Sequence, residues 1–230
     1  MLDFSQFEYL SFDCYGTLVD WETGILGYVR PLLRKKGCEA GDAEILNAYS
    51  VCEPQRQEPQ YHSYRDVLAG VMWDLAARFE CEISDSEAAG LADSIANWEP
   101  FPDTKSALER LKSRYKLAVL SNIDDELFAF SASKLGVTFD CVVTAEQVQS
   151  YKPTLRNFET LLQRLSVDKN RLLHVAESLY HDVVPAQQLG LATVWVNRRQ
   201  GKAAAATRLI DARADVEVPD VGTLADLTTG

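Results

Sequence analysis

Four short polar clusters in this 230-residue chain hold side chains able to do chemistry: Asp13-Cys14-Tyr15-Gly16-Thr17, the pair Ser121-Asn122, Lys152, and the stretch from Glu177 to Asp182. A carboxylate is a weak but usable nucleophile when the attacked atom is held in line and the developing charge is neutralised close by. Asp13, followed by a tight turn at Gly16, is placed to be projected in that way. Taken singly, each cluster has a simpler explanation. Asp13 could cap its own turn, Ser121-Asn122 could open a helix, Lys152 could be a solvated loop lysine, and the acids after residue 176 suit a helix N-terminus. Their common position relative to the predicted strands separates the two readings.

Short apolar runs bounded by turn residues read as buried strands at Tyr9–Asp13, Tyr115–Leu120, Phe139–Val143, Arg171–Ala176 and Ala192–Val196. Between them lie helical patterns. One runs from Ser106 to Arg114 with Asp103 or Thr104 as its cap, another from Asp124 to Leu135 stopping at Gly136, and a third is marked by Phe158, Leu161, Leu162 and Leu165. Repeated alternation of strand and helix predicts an α/β fold, a Rossmann-like parallel sheet covered on both faces. Ligands in such sheets sit beyond the carboxyl ends of the strands, where the four clusters fall. The stretch from Glu22 to Trp98 has helical periodicity and no convincing strand, with Pro54 and Pro59 dividing it into helix pairs. Residues 1–19 and 99–230 are therefore expected to form the core, and 20–98 an inserted, all-helical cap. After Gly201 the pattern is weak (Ala203–Ala206, Arg208–Asp215), with a last short strand near Val216.

A composition of 47% hydrophobic and 25% charged residues is that of a globular chain. The net charge of -11 repels phosphate backbones and anionic membranes, so neither nucleic acid nor membrane is an expected partner. A small anionic substrate remains compatible, because one cation can reverse the field within a cleft. The five cysteines are odd in number and form no CxxC pair, which suits free thiols in a reducing cytoplasm. No apolar stretch approaches the roughly 18 residues of a membrane span. An apolar cap face would suit a homodimer.

In Phe12-Asp13-x-Tyr15-Gly16-Thr17-Leu18, Leu120-Ser121-Asn122 and Tyr151-Lys152-Pro153, and in the order of all four clusters, the chain resembles the haloacid dehalogenase superfamily. Within it, the sequence is most similar to the type II 2-haloacid dehalogenase branch, whose cap the helical insertion matches. The resemblance implies a hydrolase in which Asp13 is the nucleophile and forms a covalent aspartyl ester. Thr17 and Ser121 would hydrogen-bond the nucleophile or the bound anion, with Asn122 as a further donor. Lys152 would keep the carboxylate ionised, and Asp182 would orient the hydrolytic water. Tyr15, Trp21 and Tyr64 would contact the substrate, with Tyr49, Tyr61 and His62 as further aromatic candidates.

Two departures from the family pattern pull in opposite directions. Superfamily phosphatases carry a second aspartate two residues after the nucleophile as general acid; here that place holds Tyr15. Halide leaves without a proton, so this loss suits cleavage of a small 2-halocarboxylic acid. Conversely, the dehalogenases have a serine where Glu177 stands, and they bring in a cap arginine for the substrate carboxylate. Ser50 falls at that arginine's place, with Arg56 and Arg65 nearby. Glu177 instead suits Mg²⁺, for which Asp13, the Cys14 carbonyl, Glu177 and Asp182 would be the ligand set. A magnesium-dependent phosphatase is therefore the alternative. A non-catalytic ligand-binding or interaction protein on the same scaffold is the expectation from another class.

Overall fold

A computed structural model describes residues 2–201, 206–207 and 210–229. Six parallel strands form one sheet: β1 (Tyr9–Phe12), β2 (Lys116–Ser121), β3 (Cys141–Thr144), β4 (Leu172–Ala176), β5 (Ala192–Val196) and β6 (Val216–Val218), in the order β3-β2-β1-β4-β5-β6. Every residue of β4 and all but the first of β2 are buried, as their continuous apolar runs require when helices cover both faces. Phe12 is level with both Val119 and Val175, so the chain leaves β1, β2 and β4 at one edge. The strand order reverses beside β1, which opens a crevice at that edge. The weakly patterned tail lies partly outside the described residues, but its expected strand is present as β6.

The core helices are α5 (Thr104–Lys112), α6 (Asp125–Leu135), α7 (Ala145–Val148), α8 (Leu155–Leu165), α9 (Val184–Gln188) and α10 (Val221–Thr229). Helix α6 stops at Gly136, whose φ of +78° is the left-handed conformation that closes a helix most easily on glycine. Asp103 does not cap α5 as expected. Its carboxylate is taken by the Arg198 guanidinium (2.9 and 3.1 Å) and by the amides of Val221 and Gly222, which tie α10 to the core.

The inserted helices are α1 (Trp21–Lys35), α2 (Asp42–Gln57), α3 (Tyr64–Arg78) and α4 (Asp85–Ser94), followed by a short turn, Ile95–Asn97. Three of them begin on side-chain caps: Asp20 accepts from Thr23 N, Ser63 from Asp66 N, and Ser84 forms a reciprocal box with Glu87. Pro54 does not break the chain as expected. It lies inside α2, whose last turn continues to Gln57 and buries Glu53 and Gln57; the break falls at Pro59. Among the described residues no helix is long and apolar enough to cross a membrane.

Two chain crossings join cap and core. Asp20 N donates to Glu99 O (2.9 Å) and Phe101 N to Leu18 O (3.0 Å), so the entering and leaving strands brace each other. Asp124, at the start of α6, reaches across the cleft and accepts from the amides of Tyr64 (2.8 Å) and Arg65 (2.9 Å). A core carboxylate thus satisfies the N-terminus of a cap helix, where its charge also meets the helix dipole. The Tyr151 hydroxyl donates to His62 O at 2.7 Å alongside it. These contacts hold the cap closed.

Candidate active site

Asp13 is the first residue beyond β1 and is only 7% exposed. Its Oδ2 accepts from the Thr17 hydroxyl at 2.8 Å and its Oδ1 from Lys152 Nζ at 2.9 Å. The turn that makes this possible runs through Gly16, at φ +92°; a Cβ there would lie 3.1 Å from the Trp21 indole nitrogen. Burial pushes the Asp13 carboxyl up from the ordinary aspartate range, and the Lys152 ammonium and Thr17 hydroxyl pull it back.

Lys152 is 1% exposed, and its ammonium donates to three acceptors: Asp13 Oδ1, Asp182 Oδ1 (2.6 Å) and the Leu120 carbonyl (2.9 Å). All three of its protons are engaged. Burial alone would lower its pKa, but the two carboxylates outweigh that and hold it above the usual lysine range. Asp182 stands in a π-helical turn, Leu179–Val183, that follows β4. Burial would raise this carboxyl; Lys152 and His174 instead hold it below the ordinary range. Its Oδ1 meets His174 Nε2 at 2.9 Å, while its Oδ2 is buried with no partner among the described residues.

His174 was not singled out from the sequence. It lies opposite Ser11 in the sheet, and the Ser11 hydroxyl meets its Nδ1 at 2.8 Å. An ionised Asp182 needs a proton on Nε2, and the Ser11 hydroxyl, which can donate or accept, satisfies Nδ1. The available signal was a histidine inside an otherwise apolar buried strand, which must find polar partners.

Ser121 and Asn122, at the end of β2, are brought to the same edge but do different work. Asn122 exchanges two hydrogen bonds with the backbone of Lys152 (2.7 and 3.0 Å), so its side chain positions the lysine, and the residue also lines the cavity over Asp13. Ser121 Oγ does not touch Asp13; it is buried, has no partner among the described residues, and lines the cavity over the carboxylate. Such a hydroxyl is held for a ligand. Ser121→Ala is expected to lower kcat/KM roughly tenfold, the value of one hydrogen bond to a charged or developing-charge group. Thermal stability should not fall, because no protein partner is lost.

That cavity has a volume of about 40 Å³ and is lined by Asp13, Tyr15, Trp21, Tyr64, Lys152 and Asp182, together with Ser121, Asn122, Glu53, Ser178, His181 and Thr207. The expected substrate contacts Tyr15, Trp21 and Tyr64 are therefore all present. Tyr15 directs its hydroxyl to Ser131 Oγ (2.8 Å), and burial holds the phenol well above its usual value. Tyr49, Tyr61 and His62 are packing residues. The Tyr49 hydroxyl meets that of Tyr64, Tyr61 stacks on Tyr151, and His62 presents its carbonyl to Tyr151. None of the cap candidates for a carboxylate-binding cation reaches the site. Arg56 pairs with Asp74, Arg65 with Asp93, and the Ser50 hydroxyl donates to Asn47 O. Glu53 and His181 line the cavity without having been singled out. An acid at helical spacing from Tyr49 on a buried face was the signal for the former.

The residues proposed as magnesium ligands do not fit the ion as placed. The Cys14 carbonyl accepts the amides of Leu18 (2.7 Å) and Val19 (3.0 Å), so its lone pairs belong to the turn. Lys152 Nζ fills the space between Asp13 and Asp182 that a cation would take. Glu177 Oε2 accepts from Thr207 at 3.3 Å, and the residue lines a neighbouring cavity of about 520 Å³ with Trp21, Glu22 and Arg199. Burial pushes the Glu177 carboxyl up to about 7, with Arg199 opposing and Glu22 and Asp13 adding to the rise. Among the described residues no group of three His, Cys, Asp or Glu can hold a metal.

A parallel α/β sheet with a helical cap closed over a lysine-paired aspartate at the end of its central strand is the layout of a capped hydrolase. The sequence model of haloacid dehalogenase-like hydrolases matches residues 10–196, and the chain belongs to that family. It is 30% identical over 196 residues to (S)-2-haloacid dehalogenase 4A of Burkholderia cepacia, and 31% identical over 192 residues to the (S)-2-haloacid dehalogenase of Pseudomonas sp. strain YL; each alignment covers 82% of both chains. In fold it is similar to the L-2-haloacid dehalogenase of Xanthobacter autotrophicus, with a TM-score of 0.79 at 20% identity over 97% of this chain and 99% of the other.

Proposed function

We propose that the chain is a hydrolase in which Asp13 displaces halide from a small 2-halocarboxylic acid or a close derivative of one. The supporting observation is the treatment of position 15. Where a phosphatase of this family needs a proton donor for the departing alkoxide, Tyr15 keeps its phenol buried, bonded to Ser131 and far above its usual pKa. Halide needs no such donor. The Asp13 carboxylate attacks the carbon bearing the halogen, the carbon–halogen bond breaks with its electron pair on the halide, and an ester forms at Asp13. Water then adds to the ester carbonyl. The buried, unpartnered Oδ2 of Asp182 is the acceptor for the proton of that water, and Thr17 and Lys152 stand beside the ester oxygens to stabilise the oxyanion. Cleavage returns Asp13 and releases the hydroxylated product.

One observation favours phosphate-ester hydrolysis as a second reading: His181 lines the same cavity, and an imidazole is a group able to protonate a leaving oxygen. A parallel assay of chloride, fluoride and phosphate release, with and without Mg²⁺, separates the two. Halide release insensitive to Mg²⁺ and to chelator is expected. Phosphate release exceeding halide release, or an absolute need for Mg²⁺, would overturn the proposal. Release of neither ion, with no covalent adduct by mass spectrometry, would leave a non-catalytic binding role.

A further inference from the structure

We infer that Glu53 is the substrate-reading group of this site, and that it selects a molecule whose end remote from the scissile bond donates hydrogen bonds, a carboxamide in preference to a free carboxylate. The inference rests on the halide-displacement reading above and narrows its substrate.

Glu53 lies in the last turns of α2, is 6% exposed, and lines the cavity over Asp13 from the cap side. Its Oε1 accepts from Gln57 Nε2 and, at 3.4 Å, from the Tyr64 hydroxyl. Both of these bonds fall on Oε1, so the second oxygen of the carboxyl is left for whatever fills the cavity. On the core side Ser121 Oγ is the complementary unpartnered group. A small amide satisfies both at once, its N–H donating to Glu53 and its carbonyl accepting from the Ser121 hydroxyl, while its substituted carbon faces Asp13.

Charge argues the same way. The described residues around this cavity include the carboxyls of Asp13, Asp182 and Glu53 and one ammonium, Lys152. All three of that ammonium's protons are already engaged. A substrate carboxylate would add an anion to a site whose ammonium is fully committed and whose other basic side chain among the described lining residues, His181, is engaged at Nδ1 by the Ser178 hydroxyl at 3.2 Å, an arrangement that desolvation penalises. Burial pushes the Glu53 carboxyl up to about 7, the mark of a charge cut off from water. A neutral amide avoids that penalty.

Propionamide and propionate, which carry no leaving group, test recognition apart from chemistry. Titrated into the unmodified protein, propionamide should bind at least about tenfold more tightly, the scale of one unpaired buried charge against one hydrogen bond. In the near-isosteric Glu53→Gln, which removes the charge and keeps the shape, the ratio should fall to within about threefold. Propionate binding as tightly as propionamide in the unmodified protein, or an unchanged ratio in Glu53→Gln, would overturn the assignment. Turnover provides a separate arm: chloride release from 2-chloroacetamide and from chloroacetate, each corrected for the thiol alkylation measured in Asp13→Asn, should follow the same order. If neither compound releases chloride while the binding preference holds, the halide-displacement reading fails and the recognition role of Glu53 stands.

Discussion

Asp13→Asn is expected to lower halide release by roughly 10⁴-fold or more, to abolish the covalent adduct, and to leave the fold intact. The amide keeps the shape of the carboxylate; its one oxygen can still accept from Lys152, and its NH2 can donate to the Thr17 hydroxyl that formerly donated to Asp13, so the network below it has little reason to rearrange. What disappears is the anionic oxygen that forms the new bond to carbon. Intact-mass measurement after rapid mixing with substrate reads the adduct directly, and circular dichroism checks the fold. Retention of more than about 1% of the activity would remove Asp13 as the nucleophile.

The second large effect should come from Lys152→Met. The unbranched methionine fills most of the lysine's volume but leaves Asp13 and Asp182 as neighbouring buried carboxyls with no cation between them. Breaking a buried ion pair on one side costs about 3–5 kcal/mol, or forces a carboxyl to take up a proton. Burial already pushes Asp13 upward; without Lys152 only the Thr17 hydroxyl opposes that push, so a larger share of the nucleophile is protonated at any given pH. Halide release at pH 7 should fall on the order of 10²–10⁴-fold, and the acid limb of the pH–rate profile should move to higher pH. The stability difference carries a sign as well. In the native protein Asp182 is held below its ordinary range, so its contribution is present above that range and lost as pH falls. In the variant the raised carboxyls bind protons more tightly folded than unfolded, so its stability drops as pH rises above the ordinary aspartate range. The two proteins should therefore differ most at neutral to alkaline pH and converge in acid. A variant with an unmoved acid limb would show that Lys152 does not set the charge of Asp13.

Much of this site could be read from the chain because its chemistry is local to strand ends. A run such as Leu10-Ser11-Phe12 buried on both sides must be a central strand, and the polar residue that follows it must emerge where ligands bind. The same reasoning placed Ser121 and Lys152 at the edge where the structure finds them. For Asn122 it did not reveal a second task, because a donor at a strand end can serve a ligand and a neighbouring loop, and only the fold shows that its side chain also grips the Lys152 backbone.

Glu177 illustrates the opposite limit. As a residue type after β4 it argued for a cation beside Asp13; only the fold shows that its Oε2 accepts from Thr207, that its side chain also lines the neighbouring cavity, and that the Trp195 indole holds its carbonyl at 2.7 Å. The cap is harder still, since helical periodicity says which face is buried but not what it is buried against. Tyr49, Tyr61 and Tyr64 share a pattern, and only Tyr64 reaches the cavity.

Periodicity and strand-end position alone determined the α/β core, the helical insertion and the carboxylate at the end of the first strand, because burial on two faces and the rise per residue dictate them. Tertiary structure alone decided which carboxylates meet Lys152, that His174 supports Asp182, and that the cap presents Glu53 in place of a cation. Those are contacts between segments distant in the chain. Their energies depend on distances of a few ångströms in a dry interior, which no spacing along the sequence encodes.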